Sequence, residues 1–448
     1  MKPRLTALKT LRGIEEHQRY AHLALPAVLE RGKLDARDRA FVTDLVYGIV
    51  RRRLSLDYLI ERFSSRSLSR VDENTRELLE LGLYQLIYMD RVPDHSVVDT
   101  SVELAKRRLK RGAEKFVNAV LREAVRRQDE LPWPDRAKDE LEFLSVFHSH
   151  PRWLVKLWVD ELGLEAAEAL LAADNRRRGV TLRVNTGKTS IEEAASALTE
   201  AGLSVRPGRY VPEALRVDGQ PPRELFDRGL VYAQDEASML VVKALGPRPG
   251  ERIIEFAAAP GGKSTHIATS IDDMGEVVAV DLSPTRLALV TENAYRQGIG
   301  SIRTVEADAT DLTALKEALG PGRQADRVLV DAPCSGLGVL AQRPDARWRK
   351  DPELIAELAE LQQRMLENAA ALVRPDGILV YSVCTISAAE TTEVIERFFL
   401  GTDEFRPEPF IIADIDSGFG GVLQLTPSEH DVDGMFIAKL IRCSPSSR

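Results

Sequence analysis

Residues 252–263 read RIIEFAAAPGGK, and this stretch decides the fold of the C-terminal half of the chain. It predicts a strand that runs into small residues and paired glycines, which let the backbone turn tightly. Ser264 and Thr265 then open a helix. Because free N–H groups at a helix N-terminus favour anions, we expect a carboxylate or phosphate of a ligand beside this turn.

The regular alternation of strands and helices continues on the C-terminal side of this stretch. The predicted strands lie at residues 252–257, 276–281, 302–306, 326–331 and 378–383. One predicted helix begins near residue 263, and three others span residues 284–297, 353–373 and 388–399. This order predicts right-handed βαβ crossovers and a mostly parallel, doubly wound, Rossmann-like sheet. Ligands of such sheets bind at the carboxyl ends of the strands.

The N-terminal part has a different character. Apolar positions recur at helical spacing from residue 5 to about 128, and Pro132-Trp133-Pro134 then marks a boundary. Residues 180–184, 191–201 and 202–205 predict a strand, a helix and a return strand. We therefore predict an all-α domain over 1–140, a small α/β, ferredoxin- or RRM-like connecting domain over 145–235, and an α/β Rossmann-like domain over 236–448.

Charge is unevenly distributed along the 448 residues, whose net charge is −8. Residues 1–140 hold 28 Lys and Arg against 23 Asp and Glu, a balance of +5, which leaves −13 for the rest. The basic clusters 51–53 and 106–111 could neutralise phosphates of a nucleic acid. Solvated helix faces explain either cluster equally well.

Several classes of protein are excluded by the composition. The chain has no apolar run of about 18 residues, and its N-terminus lacks the apolar core of a signal peptide. Its three cysteines, none in CxxC spacing, form neither a disulfide framework nor a four-cysteine zinc site. We expect a cytoplasmic monomer with free thiols, no metal and no membrane partner.

Two acidic residues at strand ends indicate what the glycine-rich turn binds. Asp281 ends the second predicted strand, 20 residues after Gly261, at the spacing of an acid that binds ribose hydroxyls, and Asp308 follows the third. A Walker A loop would need glycine at position 257, which is alanine, and a dehydrogenase would need GxGxxG. A turn without a ligand remains an alternative. A nucleoside cofactor with a carboxylate tail fits better, and S-adenosylmethionine has that shape.

Cysteines follow two further strands. Cys334 lies in the turn after Asp331, and Cys384 ends the strand at 378–383. A cysteine at a strand end is often only buried structure. Beside a methyl donor, however, a thiolate that adds to C6 of cytosine would make C5 nucleophilic. Asp331, if held protonated or hydrogen-bonded to N3 and the exocyclic amine, could stabilise the negative charge at N3. A helix predicted to start at Ser387 could activate Cys384.

These motifs resemble those of the RNA cytosine-5 methyltransferases, and specifically the bacterial Sun/Fmu (RsmB) type that methylates 16S ribosomal RNA. The resemblance rests on segments 258–263, 331–336 and 381–385 of the Rossmann-like domain. It extends to segments 115–122, 150–154, 182–185, 234–238 and 433–436. It implies a NusB-like RNA-binding domain at the N-terminus and a class I methyltransferase domain at the C-terminus.

The resemblance also implies roles for individual residues. Cys384 is implied as the nucleophile and Cys334 as the residue that helps release the methylated RNA. DNA cytosine-5 methyltransferases attack instead with the cysteine of the Pro-Cys motif, so Cys334 as nucleophile is an alternative. A noncatalytic RNA-binding factor is another. The residues implied for S-adenosylmethionine are Ala257, Ala258, Ala259, Pro260, Gly261, Gly262, Lys263, Asp281, Asp308 and Asp331. Glu255 and Ala257 stand where the family commonly has Asp and Cys.

A cationic segment follows Cys334 and is a candidate RNA contact. Cations interleaved with an indole suit phosphate contact and base stacking, although a solvated loop anchored by a buried Trp would look the same. The residues concerned are Arg343, Arg347, Trp348, Arg349 and Lys350. The expected partner is 16S ribosomal RNA or a small-subunit assembly intermediate.

Overall fold

A computed structural model describes residues 1–17, 19–32, 34–64, 66–321 and 324–444. These residues divide into two compact units. The first contains Met1–Arg176 and also Leu340–Arg349, and the second contains Arg177–Val339 and the chain from Lys350 onward. The chain therefore leaves the second unit after Val339, contributes ten residues to the first, and returns at Lys350.

The first unit is helical, as the spacing of apolar residues predicts. Its helices are α1 Lys2–Glu16, α2 Ala21–Arg31, α3 Ala36–Phe63, α4 Glu73–Tyr88, α5 Asp94–Arg108, α6 Ala113–Arg126, α7 Glu140–His148, α8 Arg152–Leu162 and α9 Leu164–Asp174. Aspartates cap α3 and α4, because the Asp35 and Asp72 carboxylates accept from backbone N–H groups of the first turn. At Gly48 in α3, an added Cβ would lie 1.9 Å from the Tyr84 ring, so only glycine permits this approach of α4.

The second unit begins with a small antiparallel sheet and its helices. They are β1 Val180–Val184, α10 Ile191–Glu200, β2 Ser204–Pro207, β3 Ala214–Asp218, α11 Arg223–Asp227 and β4 Val231–Ala233. The strand order is β2-β3-β1-β4. A capping box of Ser190 and Glu193 starts α10. The strand, helix and return strand expected over 180–205 are confirmed.

The rest of the second unit is the doubly wound domain. Its elements are α12 Glu236–Leu245, β5 Arg252–Phe256, α13 Gly262–Ser270, β6 Glu276–Asp281, α14 Pro284–Gln297, β7 Ile302–Glu306, α15 Leu312–Leu319, β8 Ala325–Asp331, α16 Pro352–Ala370, β9 Val373–Val383, α17 Thr392–Gly401, β10 Phe405–Pro407, β11 Ile411–Ile412, β12 Ile415–Asp416, β13 Val422–Leu425, α18 Pro427–His430 and β14 Met435–Arg442. The sheet order is β10-β14-β9-β8-β5-β6-β7.

The five strands from β5 to β9 are parallel, and β14 is antiparallel to β9. The chain runs outward from β5 through β6 to β7 on one side, and through β8 to β9 on the other. This reversal beside β5 is where such sheets bind ligands. All five residues of β5 are buried, because both faces of the strand are covered: the consecutive residues Ile253 and Ile254 pack into separate cores on opposite faces of the sheet. The predicted Rossmann-like class is thus confirmed.

Two predicted helix bounds are wrong. The helix expected over 388–399 is a 3-10 turn over Ala388–Glu390 followed by α17, and the helix expected over 353–373 ends at Ala370 because β9 begins at Val373. The predicted domain boundaries near residues 140 and 235 stay a prediction.

Candidate active site

The turn after β5 has the geometry that its small residues permit. Ala257 and Gly261 both have positive φ, of 53° and 96°. A Cβ on Gly261 would also lie 3.1 Å from the backbone of Val290 in α14. Helix α13 starts at Gly262, and no described side chain caps its first N–H groups. This end of the helix can therefore receive an anionic group of a ligand.

The two strand-end acids beside the turn differ in exposure. Asp281 at the end of β6 is only 4% exposed, and its carboxylate accepts from the Ala259 N–H at 3.2 Å and the Ser283 N–H at 3.0 Å. Asp308 lies exposed after β7, where bonds from the backbone and hydroxyl of Thr310 lower its pKa. Both carboxylates can accept from hydroxyl or amino groups of a nucleoside.

Lys263 and Asp331 form an ion pair at the centre of the site. Lys263 Nζ donates to Asp331 Oδ2 at 2.7 Å, and Ser382 Oγ donates to Asp331 Oδ1 at 3.0 Å. Burial opposes the charge on Lys263, but attraction by Asp331, Glu255 and Cys384 outweighs it, so the pKa of Lys263 is raised. The lysine of the glycine-rich turn thus reaches the carboxylate at the end of β8.

The two cysteines come together as their strands predict. Because β8 and β9 are parallel neighbours in which Asp331 is level with Ser382, the turns beyond them meet, and Cys334 Sγ lies 3.3 Å from Cys384 Sγ. The hydrogen bond to Cys384 and burial raise the pKa of Cys334 well above its ordinary value. The two sulfurs thus lie within hydrogen-bond distance of each other, and either of them can be the donor.

Glu255 has a distinct state at the end of β5. Its side chain is buried and accepts a hydrogen bond from Ser264 Oγ. Burial is the main cause that raises the pKa of Glu255 to about 8, and the neighbouring carboxylates of Asp331 and Asp281 add to it. Glu255 is therefore mostly protonated at neutral pH.

Arg183 of β1 is a supporting residue to which sequence reasoning assigned no role. Its buried guanidinium donates to the backbone oxygen of Gly262 at 2.6 Å and to Thr265 Oγ1 at 2.8 Å, both in the first turn of α13. The aromatic ring of Tyr232 lies 5.4 Å from it. The segment 182–185 had signalled family resemblance only, because nothing local to it indicates a contact some 80 residues away.

The cationic segment after Cys334 is held by side-chain hydrogen bonds. Arg347 is 0% exposed and donates to the backbone oxygen of Ser149 and to Asn175 Oδ1, both at 3.0 Å, while Trp348 Nε1 donates to the Val50 oxygen. These side chains anchor residues 340–349 within the helical unit, Arg347 being buried and Trp348 half-buried, and their contact with RNA stays a prediction.

The other members of this segment differ in exposure. Arg349 lies over the Tyr20 ring and donates to the Arg19 oxygen at 2.6 Å. Arg343 is exposed and Lys350 half-buried, and both remain predicted RNA contacts.

The two basic clusters of the helical unit differ in how far their side chains are exposed. Arg51 is buried and donates to the Ala341 oxygen, and Arg53 pairs with Glu15. Residues 106–108, 110 and 111 at the end of α5 are exposed. Only this second cluster presents a continuous run of exposed cations.

The described residues contain neither a metal-binding cluster nor a membrane-spanning helix. No group of three or more His, Cys, Asp or Glu side chains among them could hold a metal ion. None of the helices over the same residues is both long enough and apolar enough to cross a membrane.

Comparisons with known proteins agree along the whole chain. Residues 242–441 match the family model described as 16S rRNA methyltransferase RsmB/F, residues 1–126 match the NusB family, and residues 150–223 match the ferredoxin-like domain of RsmF/B-like methyltransferases. The expected NusB-like and ferredoxin-like domains are thereby confirmed.

Full-length relatives carry the same description. The probable ribosomal RNA small subunit methyltransferase B of Synechocystis is 38% identical over 98% of both chains. The small subunit methyltransferase B of Pseudomonas putida is 33% identical over 100% of both chains.

Solved structures share the fold. PH0851 covers 98% of both chains with a TM-score of 0.81 and 27% identity. NSun6 from Pyrococcus horikoshii, solved with SFG, covers 66% of this chain and 98% of its own with a TM-score of 0.58 and 25% identity. The chain is an RNA methyltransferase that belongs to the ribosomal RNA small subunit methyltransferase B family.

Proposed function

We propose that this protein transfers a methyl group from S-adenosylmethionine to C5 of a cytosine in 16S ribosomal RNA, through a covalent bond between Cys384 and C6 of the base. The observation that carries the proposal is the contact of the two sulfurs at 3.3 Å beside the Lys263–Asp331 ion pair. We propose a monomer that acts in the cytoplasm on 16S RNA or on a small-subunit assembly intermediate.

The residues at the strand ends fit the cofactor. The first turn of α13 suits its carboxylate, Asp281 suits the ribose hydroxyls, and Asp308 suits an amino or hydroxyl donor of the nucleoside. The relative solved with SFG, an analogue of S-adenosylmethionine, supports the same choice. When bound, S-adenosylmethionine would supply an electrophilic methyl carbon on a sulfonium centre.

The charges around the sulfurs support different roles for them. Lys263 is close enough to Cys384 for the two to attract, which favours the thiolate that attacks C6. Asp331, held by Lys263 and Ser382, is suited to accept a hydrogen bond from the exocyclic amine of the base, and with a proton of its own it would donate to N3, where negative charge develops. Once C5 carries the methyl group, loss of the C5 proton expels the Cys384 thiolate, and the Cys334 thiol stabilises that leaving sulfur by donating to it.

A methyl-transfer assay tests the reaction. The protein is incubated with small-subunit RNA and S-adenosylmethionine labelled in its methyl group, and the RNA is digested to nucleosides. We expect label in 5-methylcytidine. If cytosine carries no label, the proposed transfer to C5 of cytosine is wrong.

Substitution of each cysteine tests the roles of the two sulfurs. We expect Cys334→Ala to accumulate a protein–RNA adduct that survives SDS, because the bond to Cys384 still forms but its release is slowed. Cys384→Ala should form no adduct. The reverse pattern would make Cys334 the nucleophile, as in the DNA cytosine-5 methyltransferases. Cys443→Ala is the matched control and should behave as the wild type.

A further inference from the structure

A buried carboxylate that the proposed reaction does not use lies behind the two sulfurs. Glu390 ends the 3-10 turn Ala388–Glu390 and is 0% exposed. One oxygen accepts from the Ser335 N–H at 2.8 Å and from Gln362 Nε2 at 3.0 Å. The other accepts from Ser335 Oγ at 2.5 Å and from Thr385 Oγ1 at 3.3 Å. The carboxylate therefore has several donors within the domain.

These donors belong to the turns that carry the sulfurs. Ser335 directly follows Cys334, Thr385 directly follows Cys384, and their hydroxyl oxygens lie 2.9 Å apart. Gln362 Nε2 also donates to the Pro333 backbone oxygen at 2.9 Å. The two turns come from different strand ends 50 residues apart, and this one carboxylate bonds to both.

Charged groups near the two sulfurs include Glu390 and Lys263. Glu390 is among the groups that raise the pKa of Cys334, after the Cys384 hydrogen bond and burial. The cation Lys263 interacts with Cys384. Glu390 therefore belongs to the electrostatic surroundings of the sulfurs as well as to the hydrogen bonds of their turns.

We propose that Glu390 is a positioning residue, which holds the two cysteine turns in register so that Cys384 is the reactive sulfur. This inference rests on the proposed function and deepens it. It assigns the difference between the two cysteines to a residue whose side chain bonds to the turns that carry them.

The test compares thiol reactivity in the full-length protein. Iodoacetamide is added to wild type, to Glu390→Gln, and to the control Glu393→Gln, whose side chain lies exposed three residues later. Mass spectrometry of the peptides gives separate alkylation rates for Cys334 and Cys384, with Cys443 as internal reference. In wild type we expect Cys384 to react at least about tenfold faster than Cys334.

In Glu390→Gln we expect this selectivity to fall about tenfold, because the charge is lost and the amide brings a donor to a site that supplies only donors. Multiple-turnover methylation should fall at least about tenfold, while KM for S-adenosylmethionine changes less than about twofold. Glu393→Gln should match wild type in both measurements. Equal cysteine reactivity in wild type, or unchanged selectivity and turnover in Glu390→Gln, would overturn the proposal.

If Glu390→Gln does not fold, a second variant tests the proposal in its place. Thr385→Val keeps the side-chain shape and removes one donor to Glu390, and it should reduce the selectivity in the same direction but by less. Unchanged selectivity in Thr385→Val would then overturn the proposal. The alkylation assay needs neither RNA nor cofactor. If wild type fails to methylate cytosine, the proposed function fails, whereas the reactivity of the cysteines still decides the role of Glu390.

Discussion

Two sulfurs that touch each other are carried by turns that bond to the same buried carboxylate, that of Glu390, and we propose different roles for them. Lys263 attracts negative charge on Cys384, and the anion of Glu390 disfavours it on Cys334. Neither charged side chain is next in sequence to the cysteine that it influences. The reactivity of each sulfur is therefore set by contacts that only the folded domain makes.

Removal of the Lys263 ammonium group should lower the reactivity of the Cys384 thiol. In Lys263→Met we expect alkylation of Cys384 at neutral pH to slow at least about tenfold, because a nearby opposite charge favours ionisation by that order. Methyl transfer in a single turnover should fall at least as much. Lys316→Met, which removes an exposed lysine from α15, is the control. Unchanged Cys384 reactivity in Lys263→Met would contradict this account.

Sequence reasoning found the residues of the site but not all of their contacts. Asp331, Cys334 and Cys384 were predicted together because parallel neighbouring strands end at one edge of a sheet. The Lys263–Asp331 ion pair was not, since it joins side chains 68 residues apart and depends on rotamers. The buried contacts of Arg347 were not predicted either, because a cation near other cations looks solvated in a sequence, whereas here it donates to buried backbone oxygens.

At the level of elements, a side-chain hydrogen bond joins the end of β5 to the start of α13. Glu255 of the strand accepts from Ser264 of the helix, and Arg183 of β1 donates to the same first turn from the other domain of the second unit. The strand, turn and helix were predicted from residues 252–263 alone. The hydrogen bonds from Arg183 were not predicted, because they depend on how the small antiparallel sheet packs against the doubly wound domain.

The protonated state of Glu255 predicts a pH dependence of stability. Its pKa is raised to about 8 in the folded protein. The unfolded chain releases this proton near its ordinary value of about 4.3, so between these values the folded state binds more protons, and stability falls as pH rises. The loss between about pH 6 and about pH 8 should be roughly 2 kcal/mol.

Glu255→Gln should remove this loss, because an amide does not titrate. Thermal unfolding of the variant and wild type at both pH values measures it, and the midpoint difference should shift by a few degrees in favour of the variant at the higher pH. Glu317→Gln, exposed on α15, should follow wild type. Parallel pH profiles for wild type and Glu255→Gln would rule out the raised pKa.

At the scale of the whole molecule, the first unit contains two separate stretches of chain. Residues 340–349 belong to it although they lie between β8 and α16 of the methyltransferase domain. Arg347, Trp348 and Asp345 each bond to the helical unit, the last by accepting from the Ala21 N–H at 2.7 Å. Sequence patterns predicted the three domains but not this exchange, because the segment has no periodicity of its own.

Arg347 should therefore matter for stability. In Arg347→Met the oxygens of Ser149 and Asp174 lose their buried donor, and we expect a cost of about 3 kcal/mol. Thermal unfolding of the full chain should show a midpoint lowered by several degrees. Arg343→Met, at an exposed position of the same segment, should unfold within about a degree of wild type. Equal midpoints for both variants would contradict the anchoring role.

The path of residues 340–349 limits how the modules of this chain can be recombined. A chimaera that takes residues 1–176 from a relative but keeps this segment would ask a foreign helical domain to accommodate Arg347 and Trp348. Exchange by a single crossover at residue 176 therefore separates partners that fit each other. A recombinant protein designed to keep its helical unit intact must therefore take residues 1–176 and residues 340–349 from the same parent.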